Sequence, residues 1–267
     1  MAHKDILQKT EEYVTGLLSE KLSPKLIYHN LNHTLNVVNN VQKIGKKSDL
    51  NEDELEIVTL AAWFHDTGYI DTYAGHEERG KQIAETFLKQ NSYDPVKLTK
   101  VLACIDATKM PQQPKNLMEQ VICDADLLHL GQESFFDYSD MLRNEWESVD
   151  FKKSEELEWY KTGAELLSSH TFFTPYVKRK FEPQQALNLV KLQRGYRKQL
   201  KAIDEQSEKK AKLQFEKEKL ELERQKIALR KDDEKLAVEK EKIAFKKESA
   251  KVAERGIETM FRNTVRT

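Results

Sequence analysis

Apolar residues recur along most of this chain at intervals of three and four, the spacing that places them on one face of an α-helix. Ile6, Val14, Leu17 and Leu18 predict a first helix. Leu31, Leu35, Val38, Val41 and Ile44 predict a second, closed by Gly45. Asn51 followed by Glu-Asp-Glu opens a third, with acidic residues where the helix dipole favours them. It runs through Leu55, Val58 and Ala62 to His65-Asp66, with Gly68 as its stop. Further helices are expected over 76–90, 95–108, 117–130, 134–147 and 154–169, and the loop MPQQPKN separates two of them. Strand-like alternation is scarce. The expectation is an all-α fold, with residues 1–185 as one helical bundle domain.

After Pro183 the pattern changes. From about Leu192 to Glu254 there is no proline, and Gly195 is the one glycine. The run is built from strong helix formers. Phe215, Leu222, Leu229, Leu236, Ile243 and Ala250 recur every seven residues, which predicts a charged coiled-coil helix over 186–254. A second apolar series is irregular. Leu213, Leu220 and Ile227 precede the first by two residues, whereas Val238, Phe245 and Val252 follow it by two. Two residues turn a helix by about 200°, so the two series lie on nearly opposite sides, and pairing on two faces is open.

Charge sharpens this division. The chain has 267 residues, 33% of them charged, yet its net charge is −1. Balanced charge in such density suits a solvated helix rather than a basic nucleic-acid surface, and no nucleic acid polymer is expected as a partner. The polar N-terminus is no secretory signal, and no apolar run approaches the roughly 20 residues of a membrane span. Cys104 and Cys123 stand in apolar contexts as free thiols, which suits a cytoplasmic location.

Three apolar segments carry polar groups that need partners. In 61-AAWFHDTGYI-70 the pair His65-Asp66 ends an apolar run. Burying such a pair is costly unless something satisfies it. In 28-YHNLNHT-34, His29 and His33 are four apart, on one helix face. In 121-VICDADLLHLG-131, Asp124 and Asp126 sit among apolar residues. Packed together, the three segments could converge on one point. Imidazoles and carboxylates without thiolates suit Mn, Fe, Mg, Co or Ni rather than a structural zinc. Asp124 alone could instead cap a helix.

The ordered set His33, His65-Asp66, Asp126 resembles the HD-domain superfamily of metal-dependent phosphohydrolases. YHNLNHTLNVV, AAWFHDTGYI and CDADLLHLG carry the resemblance, which extends over roughly residues 10 to 180. It implies an all-α fold, and His33, His65, Asp66 and Asp126 as ligands of a divalent metal ion. It also implies hydrolysis of a phosphoester or phosphoanhydride bond, mostly in nucleotides. One subgroup carries an acidic residue three positions after the motif's aspartate. Here that position is Tyr69, and the nearest acid is Asp71. The segment 75-GHEERGKQIA-84 looks like the family's next helix. There His76 is a candidate for a second metal or a phosphate, and Glu77 for proton transfer. Arg79 and Lys109 are candidate phosphate contacts, and His29 faces the substrate or supports a ligand. His129 and His170 are read as structural.

At the other end, 254-ERGIETMFRNTVRT-267 resembles the segment that opens the membrane effector domain of Pycsar-type anti-phage proteins. That resemblance implies residues 255–267 as the start of a membrane-effector module, and a role in cyclic-mononucleotide defence signalling. It also implies inner-membrane association through a region that this chain does not include. Three readings follow: a nucleotide phosphohydrolase on a helical stalk, a nucleotide sensor with little turnover acting through the coiled coil, and an assembly module with a vestigial site. A homo-oligomer through the coiled coil is expected in each.

Overall fold

The computed structural model describes residues 2–264. Among them every regular element is helical. They are α1 (Ala2–Lys21), α2 (Leu31–Lys47), α3 (Glu52–Phe64), α4 (His76–Gln90), α5 (Pro95–Ala107), α6 (Leu117–Asp126), α7 (Phe135–Ser148), α8 (Glu156–Ser169) and α9 (Pro175–Thr264). Short 3-10 turns at Thr67–Ile70 and Leu128–Gly131 follow α3 and α6. The chain is all-α, a helical bundle followed by a long helix.

Helix starts are fixed by side chains that the sequence supplies. Asn51 and Glu54 form a reciprocal capping box on α3. Asn30 accepts from the backbone N–H groups of Asn32 and His33, and Asp94 and Asn116 cap α5 and α6 in the same way. α3 is the central element. Its residues from Glu56 to Phe64 are all buried, because α1, α2, α5 and α6 pack around it. A helix apolar on every side belongs inside a bundle.

Two glycines act differently from the expectation. α2 continues past Gly45 to Lys47, and a Cβ on Gly45 would lie 2.8 Å from Leu55 Cδ1. Gly68 does not terminate α3, which ends at Phe64. Instead a Cβ there would meet the His76 carbonyl oxygen at 1.9 Å, and one on Gly80 would meet the Phe64 oxygen at 2.8 Å. Both glycines let α4 approach the backbone of the His65-Asp66 segment.

The first compact unit extends through Leu200 rather than ending near 185. α9 begins at Pro175 and runs through Pro183, so proline does not mark the boundary. Its first turns are buried: Val177, Gln185, Asn188 and Leu192 face the bundle. Asn188 Nδ2 donates to the carbonyls of Leu130 and Gln132, at 3.0 and 2.8 Å. The second unit starts at Lys201, and its described side chains are exposed. The side chains of 2–5, 229, 233, 245 and 252–264, and residues 1 and 265–267, lie outside the described residues, and with them the RGIETMFR segment. No helix among the described residues is long and apolar enough to cross a membrane.

Candidate metal centre

Four of the proposed site residues meet where helix ends converge. His33 stands in the first turn of α2, placed by the Asn30 cap. His65 is the C-cap of α3, Asp66 follows it, and Asp126 is the last residue of α6. Two carboxylates at two helix C-termini add negative potential to negative potential, an arrangement that calls for a cation.

The contacts are close. His33 Nε2 lies 3.4 Å from Asp66 Oδ2 and 3.3 Å from Asp126 Oδ1. His65 Nε2 lies 3.2 Å from Asp66 Oδ2 and 3.8 Å from Asp126 Oδ1, and the two Nε2 atoms are 3.4 Å apart. His65 Nδ1 donates to the Ala62 carbonyl at 2.8 Å, so the neutral ring carries its lone pair on Nε2, toward the cluster. Asp66 Oδ2 is buried with no hydrogen-bond partner. An orphaned carboxylate oxygen between two imidazole nitrogens is expensive without a ligand. Two nitrogens and two hard oxygens fit a divalent cation, and His33, His65 and Asp66 alone already satisfy the geometry of a metal group.

Protonation reports the same field. Burial opposes charge on His65, but the Asp66 carboxylate outweighs it, with help from Asp126, and pushes the ring up to about 9. Burial would raise Asp66, yet the charge of the His65 ring beside it holds it well below the usual carboxylate range. Asp126 is likewise lowered against its burial, first through the His33 hydrogen bond.

Around this cluster stands an aromatic wall. Tyr69 is buried and stacks between His29 and His76, with ring centroids 4.3 and 3.8 Å away. His76 Nδ1 donates to the Tyr73 carbonyl at 3.0 Å, leaving Nε2 3.5 Å from Asp66 Oδ1 and 3.7 Å from Glu77 Oε1. His76 and Glu77 therefore join the site. His29 is 5.9 Å from His33 between ring centroids, and its Nδ1 bonds Glu145 Oε1 at 2.5 Å.

Other candidates are placed elsewhere. Asp71 and Arg79 pair with each other at the surface, Nε to Oδ2 at 2.6 Å. Lys109 bonds Asp106 at 2.7 Å, with Glu78 at 3.6 Å, in an exposed ion network shared with Lys81. The mobile-looking charges of the sequence are thus taken up by acids that it also supplies. Asp124 accepts from Phe173 N, Thr174 N and Thr174 Oγ1, at 2.7, 2.8 and 2.6 Å, and caps the start of α9 rather than joining the cluster.

The residue that sequence reasoning missed is Glu145. It is fully buried on α7 and accepts from Tyr28 N, His29 N, His29 Nδ1 and the Tyr73 hydroxyl. Burial would raise its pKa, and the hydrogen bond and charge of His29 lower it instead. A signal existed: Phe135, Tyr138, Leu142 and Glu145 share helical spacing, so the glutamate occupies an inward position.

A cavity of about 100 Å³ opens on the cluster, lined by His33 and Asp126 and by Asn36, Asn40, Gln132 and Tyr138 among others. His129 borders it, with Nδ1 3.3 Å from the Tyr28 hydroxyl, and burial pushes its ring down to about 4.

The four clustered residues lie inside one recognisable segment. Residues 30–131 match the family model of the HD domain. The match includes His76 and Glu77 and leaves His29 and Glu145 outside. A crystal structure described as a predicted HD superfamily hydrolase, from an uncultured Thermotogales bacterium, is similar at 18% identity. The alignment covers 70% of this chain and 89% of that one, with a TM-score of 0.49. No curated protein matches the chain.

Proposed function

We propose that this chain is a divalent-metal-dependent phosphohydrolase whose substrate is a nucleotide or another small phosphorylated molecule. The orphaned Asp66 oxygen, facing two imidazole nitrogens inside a segment that matches the HD domain, carries this reading. When bound, a divalent cation supplies a Lewis acid that polarises a phosphoryl oxygen and acidifies water. His33, His65, Asp66 and Asp126 would hold it. His29 is fixed through its Nδ1 by Glu145, and Glu77 Oε1 stands 3.7 Å from His76 Nε2, so His29, His76 and Glu77 are the candidates for handling the proton. Asn36, Asn40 and Gln132 offer neutral hydrogen-bonding groups to a base or sugar. Burial pushes the Cys104 thiol up to about 12 and raises Cys123 as well, which disfavours a thiol nucleophile and favours water. The resemblance of 254–267 to Pycsar-type effectors supports placing this activity in bacterial anti-phage signalling, with any membrane link made outside this chain.

The test is a nucleotide screen with Mn²⁺, Mg²⁺, Co²⁺ and Ni²⁺, run beside Asp66→Ala. Hydrolysis should incorporate solvent oxygen into one product and stop on chelation. Asp66→Ala should lose both metal stoichiometry and turnover. It should also lose the metal-dependent rise in stability, which is about 2.7 kcal/mol for the wild type at a hundredfold excess over Kd. Activity that survives chelation, or full metal content in the variant, would contradict the proposal.

A further inference from the structure

The irregular apolar pattern of the second unit becomes regular once its charges are read with it. α9 is continuous through residues 213–252. On one face of a heptad helix, two positions three and four residues apart form the pairing seam. One such set is 213, 220, 227, 234, 241 and 248, occupied by Leu, Leu, Ile, Glu, Glu and Glu. Its companion set is 217, 224, 231, 238, 245 and 252, occupied by Lys, Arg, Lys, Val, Phe and Val. The first half of the seam is therefore apolar and basic, and the second half apolar and acidic.

Reflection about the bond between Asp232 and Asp233 maps each set onto the other. Leu213 meets Val252, Leu220 meets Phe245, and Ile227 meets Val238. Lys217 meets Glu248, Arg224 meets Glu241, and Lys231 meets Glu234. Apolar layers alternate with oppositely charged layers over the whole segment. A parallel, in-register pair would instead place Lys217, Arg224 and Lys231, and likewise the three glutamates, against their own copies. Like charges in a seam are strongly unfavourable, whereas opposite charges there fix orientation and register. Long basic side chains can also lay their stems along the neighbouring apolar layers. Among the described side chains of the seam, Leu213, Leu220, Ile227 and Val238 are each at least half exposed.

We propose that residues 213–252 pair with the same segment of a second copy of this chain, antiparallel, about a two-fold axis between Asp232 and Asp233. Such an interface is self-complementary, as a two-fold contact must be. The seven-residue stripe from Phe215 to Ala250 lies opposite this seam and takes no part in it. The phase change of the second apolar series, which spoils a simple heptad reading, is what the reflection requires.

The test uses the full chain with a spin label at Lys219→Cys, an off-seam position. The native Cys104 and Cys123 are buried and stay unlabelled. At 1.5 Å per residue the two labels of an antiparallel pair stand about 40 Å apart, and those of a parallel pair within about 20 Å. A dipolar distance near 40 Å is expected. A distribution without that component, or a monomer by sedimentation at tens of micromolar, overturns the proposal. Arg224→Glu should weaken the dimer at least several-fold, and adding Glu241→Arg should restore it. Failure of that rescue would count equally against the antiparallel register.

Discussion

Glu145 and Glu241 are the same residue type on helices of one chain, and their surroundings differ in every respect. Glu145 is buried and accepts four hydrogen bonds, from Tyr28 N, His29 N, His29 Nδ1 and the Tyr73 hydroxyl. Its partners come from more than 70 residues away in sequence. Glu241 is exposed, on a helix whose neighbours in sequence are its neighbours in space. In the bundle, a charge is tolerated only where the fold delivers partners to it. In the second unit, the described charges are exposed and pair only with neighbours on the same helix, as Lys235 does with Asp232, so what they can specify is the choice of an external partner. The experiments below press on this contrast.

The largest effect is expected at Glu145. Glu145→Ala would strand two backbone N–H groups and the Tyr73 hydroxyl in a buried site, which costs about 3 kcal/mol or more. Glu145→Gln keeps the volume and part of the bonding, so it should cost less. Both variants should lower turnover, because the His29 ring loses its anchor, while metal content measured on the purified protein stays near the wild-type value. Equal loss of metal and turnover would place Glu145 in support of the ligands instead.

This residue also marks where the sequence stops being legible. The helices from α1 to α8 were readable from apolar spacing, because that signal is local, whereas the start of α9 at Pro175 was not, since it runs through Pro183. The four clustered residues were readable from the family resemblance, and His65 and Asp66 also because they interrupt an apolar run. Glu145 was not singled out, since an inward glutamate on an amphipathic helix looks like an ordinary charge until Tyr28, His29 and Tyr73 are seen to surround it. Asp71, Arg79 and Lys109 show the converse limit. The suitability of Arg79 and Lys109 for phosphate, and the nearness of Asp71 to the motif, were visible, but the ion pairs Asp71–Arg79 and Asp106–Lys109 became visible only in three dimensions. Gly45 and Gly68 read as punctuation, whereas their lack of a Cβ serves packing.

Gly80 gives the next effect in size. Gly80→Ala puts a methyl 2.8 Å from the Phe64 carbonyl oxygen and 3.1 Å from that of His65. Those are backbone atoms, so α4 must move, at a cost of about 2 kcal/mol. His76 rides on α4, so turnover should fall while the first metal stays bound. Unchanged stability by denaturant titration would show that the interface has slack.

A smaller, pH-dependent effect is expected at His170. Burial lowers its pKa, with Asp126 opposing, and neither ring nitrogen has a hydrogen-bond partner. Above the unfolded value of about 6.5, both states are neutral. Between that value and the lower folded one, only the unfolded chain binds the proton. Stability is therefore lost as the pH falls from about 6.5. His170→Phe should remove that share of the acid sensitivity, so the difference in Tm between the two proteins should vary across this window. A constant difference would show that the ring is charged in the fold.

The smallest effect is expected where charge is freest. Trp63, Trp146 and Trp159 all lie in the first unit, so tryptophan fluorescence reports on the bundle alone. Leu220→Ser removes an exposed apolar side chain from the second unit. Exposed substitutions away from buried features usually change stability by less than about 0.5 kcal/mol, and the tryptophan transition should stay within that margin. The same substitution sits on the proposed seam, opposite position 245 of a second copy, so it should weaken association even while the bundle is unmoved. Phe215→Ser, on the opposite stripe, should leave both alone. A shift of the tryptophan transition by more than about 1 kcal/mol in Leu220→Ser would mean that the bundle's stability depends on the second unit, since additivity between distant sites would then have failed. The contrast between the two regions would in that case be one of appearance, with pairing of the second unit carried into the first.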